Sequence, residues 1–224
     1  MFENSDYCIR KELRDFGKKF GGALLCLICL SLFMRITVSA AYQNTLQQGI
    51  ADEVLRFHVL ADSDSEEDQN VKYQVRDAVL AWLSEEMKKA DVDNSGAGVD
   101  SKNAVKCFVQ AHLAELEHVA DQVLSEYGAD YRAAASVERC CFPARTYGDC
   151  TFPAGWYDAL RIRLGSAQGH NWWCVLYPKL CFSDCLHAVV GEDGKQELRS
   201  VLTEEEYDSL LQNPGSWRIA FRWF

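Results

Sequence analysis

Between Phe20 and Met34 the chain carries no charged residue, and the nineteen residues before that stretch hold Arg10, Lys11, Arg14, Lys18 and Lys19. A basic flank followed by an apolar run is the pattern of an export signal. At a rise of about 1.5 Å per residue, roughly 15 apolar residues fall short of the roughly 20 needed to span a bilayer. Val38-Ser39-Ala40 then sets small residues at the minus-three and minus-one positions of a signal-peptidase site, so the expectation is export with cleavage after Ala40. Arg35 and the long basic flank keep an uncleaved membrane anchor open as a second reading, and a buried core helix is the third. Both exported forms place residues 41–224 outside the cytoplasm, with membrane contact through the N-terminal segment before any cleavage.

That boundary changes the meaning of charge and cysteine content. The 224 residues carry 23 basic and 33 acidic side chains, and removal of residues 1–40 leaves 17 against 29, a net of -12. Nucleic-acid affinity comes from Lys and Arg neutralising phosphates, so a DNA or RNA partner is excluded. Cys107, Cys140, Cys141, Cys150, Cys174, Cys181 and Cys185 remain after cleavage. Seven is odd, and outside the cytoplasm disulfides form, so at least one thiol stays unpaired, is buried, or pairs with another chain. Cys107 reads as a buried thiol on the apolar side of a helix. The neighbouring Cys140 and Cys141 point to opposite faces if their segment is a strand.

Periodicity orders the exported part. Val54–Leu60 alternates Leu55, Phe57 and Val59 against Arg56 and His58, the pattern of a half-buried strand. The turn Ala61–Ser65 follows, and Ser65 with Asp68 three residues on reads as a helix N-cap. Val71, Val75, Ala78, Val79 and Trp82 predict a helix to about Lys89. A second helix is predicted from Lys102 to Tyr127, ended by Gly128. Strands are predicted over Tyr131–Phe142, Ala159–Leu164 and Trp172–Tyr177, the last buried on both sides. The tail adds an acidic helix over Thr203–Leu211, a turn at Asn213-Pro214-Gly215 and an edge strand over Trp217–Trp223. The fold class expected is α+β, an antiparallel or mixed sheet with two long helices packed on one face, behind an N-terminal signal or anchor helix. In domains this gives a signal or anchor (1–40), a secreted α+β signalling domain (41–190) and a C-terminal extension (191–224).

Several constellations hold residue types that can carry chemistry. Asp62, Asp64 and Glu66 occupy positions 1, 3 and 5 of a calcium loop, but Glu67 stands where the glycine belongs and Tyr73 where the bidentate Glu belongs; helix entry explains them better. Cys181, Cys185 and His187, with Cys140, Cys141 and Cys150 elsewhere, supply zinc ligand types without the paired CxxC spacing, so no metal is expected. Cys174 with His58 or His170 has the residue types of a nucleophile and base, but no protease signature surrounds it. His112 and His118 are read as core-edge and surface residues. Without a phosphate loop, GxSxG or HExxH, no catalytic residue and no cofactor is assigned.

The densest stretch is Asn171-Trp172-Trp173-Cys174-Val175-Leu176-Tyr177-Pro178-Lys179-Leu180-Cys181-Phe182. Alternation sends Trp172 and Trp173 to opposite faces, one anchoring the core and the other exposed for binding. Asn171, Trp172, Trp173, Tyr177 and Pro178 are therefore the candidate partner-binding residues. Cys174 and Cys181 stand close enough to close a small loop through Pro178 as a structural disulfide, with other pairings left open.

This run resembles the stage II sporulation protein R family. So do the Phe152-Pro153-Ala154-Gly155 turn and the segment Val59-Leu60-Ala61-Asp62-Ser63-Asp64-Ser65-Glu66-Glu67-Asp68-Gln69, continuing through Lys72 and Val75–Leu80. The resemblance covers residues 50–185. Asp62 departs from the Asn usual in that family and Lys179 from a second Pro, while Cys140, Cys141, Cys150 and Cys185 are additional. What the resemblance implies is a signal between compartments of a sporulating cell, secreted from the forespore into the intermembrane space. The resemblance implies that it is not itself a protease, and no enzyme activity is expected. The family activates a membrane-embedded aspartic protease of the mother cell, which then processes the precursor of sigma factor E. The alternative, from a different class, is a secreted cysteine- or zinc-dependent hydrolase of the cell envelope.

Overall fold

The computed structural model describes residues 3–93, 101–180 and 190–211. Two compact units divide at Thr45 and Leu46. The first is built on α1 (Glu3–Glu53), whose stretch Cys26–Glu53 is long and apolar enough to cross a membrane, a test that a signal sequence also passes. Leu27, Phe33, Ile36 and Val38 are each more than 60% exposed, so the apolar side chains of its first part face outward, as a signal or anchor segment requires.

The second unit is α+β. A four-stranded mixed sheet runs in the order β2 (Ala133–Phe142), β5 (Gly155–Leu164), β1 (Leu55–Leu60), β6 (Asn171–Tyr177). β1 is parallel to β5 and antiparallel to β6, and β2 is antiparallel to β5. A hairpin, β3 (Arg145–Tyr147) with β4 (Cys150–Phe152), forms a separate two-stranded sheet.

Odd residues of β1 (Leu55, Phe57, Val59) and even residues of β5 (Leu160, Ile162, Leu164) face one side, the period of two that a strand imposes. Three helices cover them: α2 (Glu66–Asp93) through Val71, Val75, Val79, Leu83 and Met87, α3 (Lys102–Ala111) through Val105 and Val109, and α4 (Leu113–Glu126) through Leu116, Ala120 and Leu124. The single long helix expected over 102–127 is thus two. Its break has a local cause. The His112 ring nitrogen Nδ1 donates to the Phe108 carbonyl at 2.8 Å, the acceptor that the His112 amide would use in an unbroken helix. The amide turns instead to Val109 at 3.1 Å, tightening the turn, and α4 starts afresh. Gly128 closes α4 at φ +74°, where the amides of Gly128 and Ala129 reach back to the carbonyls of Ser125 and Leu124.

The opposite sheet face is also covered, and this corrects the reading of β1. All six of its residues are 0–6% exposed, Arg56 and His58 included, so it is not half-buried but a central strand enclosed on both sides. The cover comes from Ile50 and Ala51 of α1, the β3–β4 hairpin (Cys150, Phe152), Phe142, Tyr157, and two C-terminal helices, α5 (Glu192–Val201) and α6 (Glu204–Leu211). α5 is an element that periodicity does not mark. Its Leu198, with Leu202 and the α6 residues Tyr207 and Leu210, belongs to the same buried cluster, so residues 191–211 are part of the folded unit. The edge strand expected over Trp217–Trp223 lies outside the described residues.

Cys107 is exposed rather than buried, whereas Cys140 and Cys141 do part to opposite faces, the first half-buried and the second exposed.

Leu198 is fully buried, and a Leu→Ala change at such a site costs about 2–5 kcal/mol. Thermal unfolding of the full chain carrying Leu198→Ala is expected to show that loss in one cooperative transition. An unchanged melt would make the C-terminal helices a separable appendage.

Candidate functional site

The two most distinctive segments of the sequence become neighbours in space. β6, with the Trp172-Trp173 run, pairs along β1, which leads directly into the Ala61–Ser65 turn; Trp172 lies opposite Val59, Trp173 opposite His58 and Cys174 opposite Phe57.

At the end of this strand pair, the loop between β5 and β6 folds onto the turn after β1. The amides of Gln168 and Gly169 donate to the carbonyls of Asp62 and Ala61 at 3.0 Å each. The Ser166 amide donates to Asp62 Oδ1, and the Ser166 hydroxyl to the Asp62 carbonyl at 2.9 Å. The His170 amide and ring Nδ1 both bond Asp64 Oδ1. From α2, Lys72 reaches under the junction; it is 1% exposed, and its Nζ donates to the His170 carbonyl at 3.1 Å and to Gln69 Oε1. Gly169 is needed for this approach, because a Cβ there would stand 2.1 Å from the Ser63 carbonyl oxygen, a backbone atom with little room to yield. The hydrogen bond from His170 holds the Asp64 carboxyl below the usual carboxylate range, and burial pushes the Lys72 amine down.

Ser65 caps α2, its Oγ accepting from the Asp68 amide at 3.1 Å. Asp68 in turn is gripped by the hydroxyls of Ser63, Tyr131 (2.6 Å) and Ser65 (3.0 Å), and these bonds lower its acidity range, the one from Ser63 most. The carboxylates of Asp62, Asp64 and Asp68 are thus engaged in turn and helix-entry bonds, and among the described residues no cluster of His, Cys, Asp or Glu fits a metal ion.

Trp172 and Trp173 take opposite faces, but neither stands out as an exposed anchor, since both are half-buried. Trp172 meets Phe57 edge to face at 5.6 Å and lies under the Arg76 guanidinium at 5.1 Å. Trp173 stacks on the His58 ring at 4.9 Å and 12°, abuts Phe142 at 4.7 Å, and lies under Arg145 at 5.7 Å. Asn171 is half-buried, with its Oδ1 buried and without a hydrogen-bond partner. Tyr177 and Pro178 are buried and present no surface in the chain by itself. Cys174 is buried on the helix face; Cys181, its candidate disulfide partner, lies outside the described residues, as do Cys185 and His187.

On the same face of β1 as His58 sits a charged residue that alternation alone would place in water. Arg56 is fully buried, and its guanidinium is ringed by Phe142 at 4.7 Å, Phe152 at 5.1 Å, Tyr157 at 5.3 Å and Tyr147 at 5.9 Å. Its Nη2 donates to the Tyr147 hydroxyl at 3.3 Å, and that hydroxyl donates to the Trp173 carbonyl at 3.1 Å. Aromatic faces supply part of what water would. The hairpin is therefore tied to β6 through a buried cation. No sequence signal short of the hairpin itself would have revealed this.

The arrangement separates the residues considered for nucleophilic catalysis. Cys174 faces the α2–α4 side while His58 faces the hairpin side, and His170 is occupied by Asp64. The imidazole that does meet a thiol is His58, Nε2 to Cys140 Sγ at 3.6 Å. Burial, with Arg161 and Arg56 nearby, pushes His58 down to about 3, and burial with the Glu138 charge pushes Cys140 up to about 11. At neutral pH both are uncharged, the reverse of an activated thiolate–imidazolium pair.

A family model described as stage II sporulation protein R matches residues 51–187, a span holding all six strands and both segments of the site. This is a sporulation protein, and the chain belongs to the stage II sporulation protein R family. The stage II sporulation protein R of Bacillus subtilis (strain 168) is 29% identical over 196 residues, which cover 84% of this chain and 82% of that protein. No solved structure matches the chain.

His58 gives the site a pH signature. Its folded value of about 3 lies below the ordinary 6.5, so between the two the unfolded chain binds more protons and stability falls as pH falls. The contribution is complete above pH 6.5, and about 1.5 kcal/mol of it is lost between pH 6.5 and 5. His58→Phe, which keeps a ring under Trp173, is expected to flatten that part of the stability profile in denaturant titrations; a slope equal to wild type would mean that His58 is not held neutral.

Proposed function

We propose that this chain is an exported intercompartmental signal of sporulation. It passes from the forespore into the intermembrane space and there activates a membrane-embedded aspartic protease of the mother cell, which processes the precursor of sigma factor E. The observation that carries the reading is the convergence of the two family-like segments, Val59–Gln69 and Asn171–Pro178, onto one hydrogen-bonded strand pair in a chain of that family. Segments 106 residues apart at Asp64 and His170 that build one hydrogen-bonded corner are suited to recognising a partner. The outward apolar helix at the N-terminus supports export or anchoring.

In this reading the chain acts by binding and not by bond-making chemistry. Asn171, Trp172 and Trp173 line the contact: the two half-buried rings offer aromatic anchors of the kind that dominate interfaces, with the half-buried Asn171 beside them. Tyr177 and Pro178 lie at the far, buried end of the same strand. Binding favours the active state of the protease in proportion to the difference in affinity for its two states.

The test is co-expression of the full chain, the protease and the sigma-factor precursor in a non-sporulating host. Precursor cleavage is expected only when the chain is present and exported, and Trp172→Ala or Trp173→Ala, verified as folded by circular dichroism, is expected to lower it at least about tenfold. Cleavage of equal extent without the chain would overturn the function. Undiminished cleavage with folded Trp variants would move the contact elsewhere.

A further inference from the structure

β2 is an edge strand, and its outer edge is treated differently along its length. At the start, α4 seals it: the Ala133 amide donates to Asp121 Oδ1 and the Ala135 amide to Glu117 Oε1, each at 2.8 Å. Backbone groups alternate in direction along an antiparallel strand, so the amides of Val137, Arg139 and Cys141 point outward as well. The series stops there, because the α4 position one helical turn before Glu117 is Leu113, where the helix begins. Arg139 and Cys141 are exposed there. One strand in, directly opposite Cys141 and on the same face, stands Trp156, at 57% the most exposed large hydrophobic side chain among the described residues from Leu46 on. Among the described residues no strand pairs with this stretch of edge, and an unpaired edge with an aromatic beside it is what strand addition by a protein partner uses.

We infer that the Val137–Cys141 edge accepts an extended segment of a protein partner, with an acidic side chain opposite Arg139 and an apolar one against Trp156. A second copy of this chain fits poorly. Two β2 strands pair antiparallel about a two-fold axis, and centring the pair on Arg139 sets like charges face to face. Centring on Cys140 or Cys141 brings Pro143, which has no N–H, opposite Val137 or Arg139. Centring on Glu138 or Val137 uses Ala135, whose amide already serves Glu117. The chain's net charge of -10 adds long-range repulsion between copies. This edge is the opposite border of the sheet from β6, so it is distinct from the Trp172-Trp173 surface.

The probe rests on the proposed function, since the partner used is the detergent-solubilised membrane protease. Hydrogen exchange of the full chain is followed with and without it, together with Arg139→Pro, which removes one outward donor, Arg139→Ala, which keeps it, and Trp156→Ala, which leaves the backbone unchanged. The amides of Val137, Arg139 and Cys141 are expected to slow at least about tenfold with the protease, and Arg139→Pro and Trp156→Ala each to raise the half-saturating protease concentration by about tenfold or more, with Arg139→Ala closer to wild type. Exchange unchanged by the protease, while co-expressed precursor is still processed in a chain-dependent manner, overturns the edge and leaves the proposed function standing. Protection without chain-dependent processing keeps the edge and removes that function. Protection that grows with the concentration of the chain alone makes a second copy the occupant and overturns the inference.

Discussion

Everything in the folded unit is referred to β1. Six residues are enclosed between a parallel neighbour and an antiparallel one, and between helices on one face and the hairpin with the C-terminal helices on the other. A strand buried on both faces is ordinarily apolar throughout. This one carries Arg56 and His58 on its second face, and burying a guanidinium is costly unless its surroundings compensate. Four aromatic rings and the Tyr147 hydroxyl provide part of that compensation, His58 beside them stays neutral, and Arg56 Nε and Nη1 have no hydrogen-bond partner among the described residues. The hairpin, Phe142 and Trp173 are where they are because this face needs aromatic cover in place of water.

The site follows from the same strand. Where β1 ends, its chain must turn, and the turn is filled with Ser and Asp side chains that bond their own backbone and cap α2. β6 runs antiparallel to β1, so the loop feeding β6 arrives at that turn and is clamped to it by Asp62, Asp64 and the buried Lys72. The family-like residues of the first segment are therefore occupied in building a corner, and those of the second in presenting it. Burial divides the second segment as well, with Asn171 to Trp173 at the half-buried end and Cys174 to Pro178 inside. Partner recognition, as proposed, belongs to the former.

Much of this was legible in the sequence, wherever one physical pattern dominated. The alternation of Leu160, Ile162 and Leu164 with arginines gave β5, the Val71–Val79 spacing gave α2, and Ser65 with Asp68 gave its start. The failures share a cause: each depends on a partner distant in sequence or on one side chain. Arg56 and His58 look solvent-facing until the hairpin is known to cover them. The stripe from Val105 to Leu124 is continuous across His112, so nothing in the periodicity marks the break made by one ring nitrogen. The same alternation placed the two tryptophans on opposite faces, but not the Arg76 and Arg145 side chains that half-cover them. α5 has buried positions at Gly194 and Leu198 only, too sparse a stripe to predict.

The central claim is that the turn after β1 and the loop before β6 form one preformed corner that is as stable as the core. Native-state hydrogen exchange of the Ser166, Gln168, Gly169 and His170 amides in the chain alone tests it most directly. The account expects these four loop amides to exchange with the same free energy as the β1 amides, through global unfolding. Exchange of the loop orders of magnitude faster than β1, through local opening, would contradict it and make the corner a product of binding.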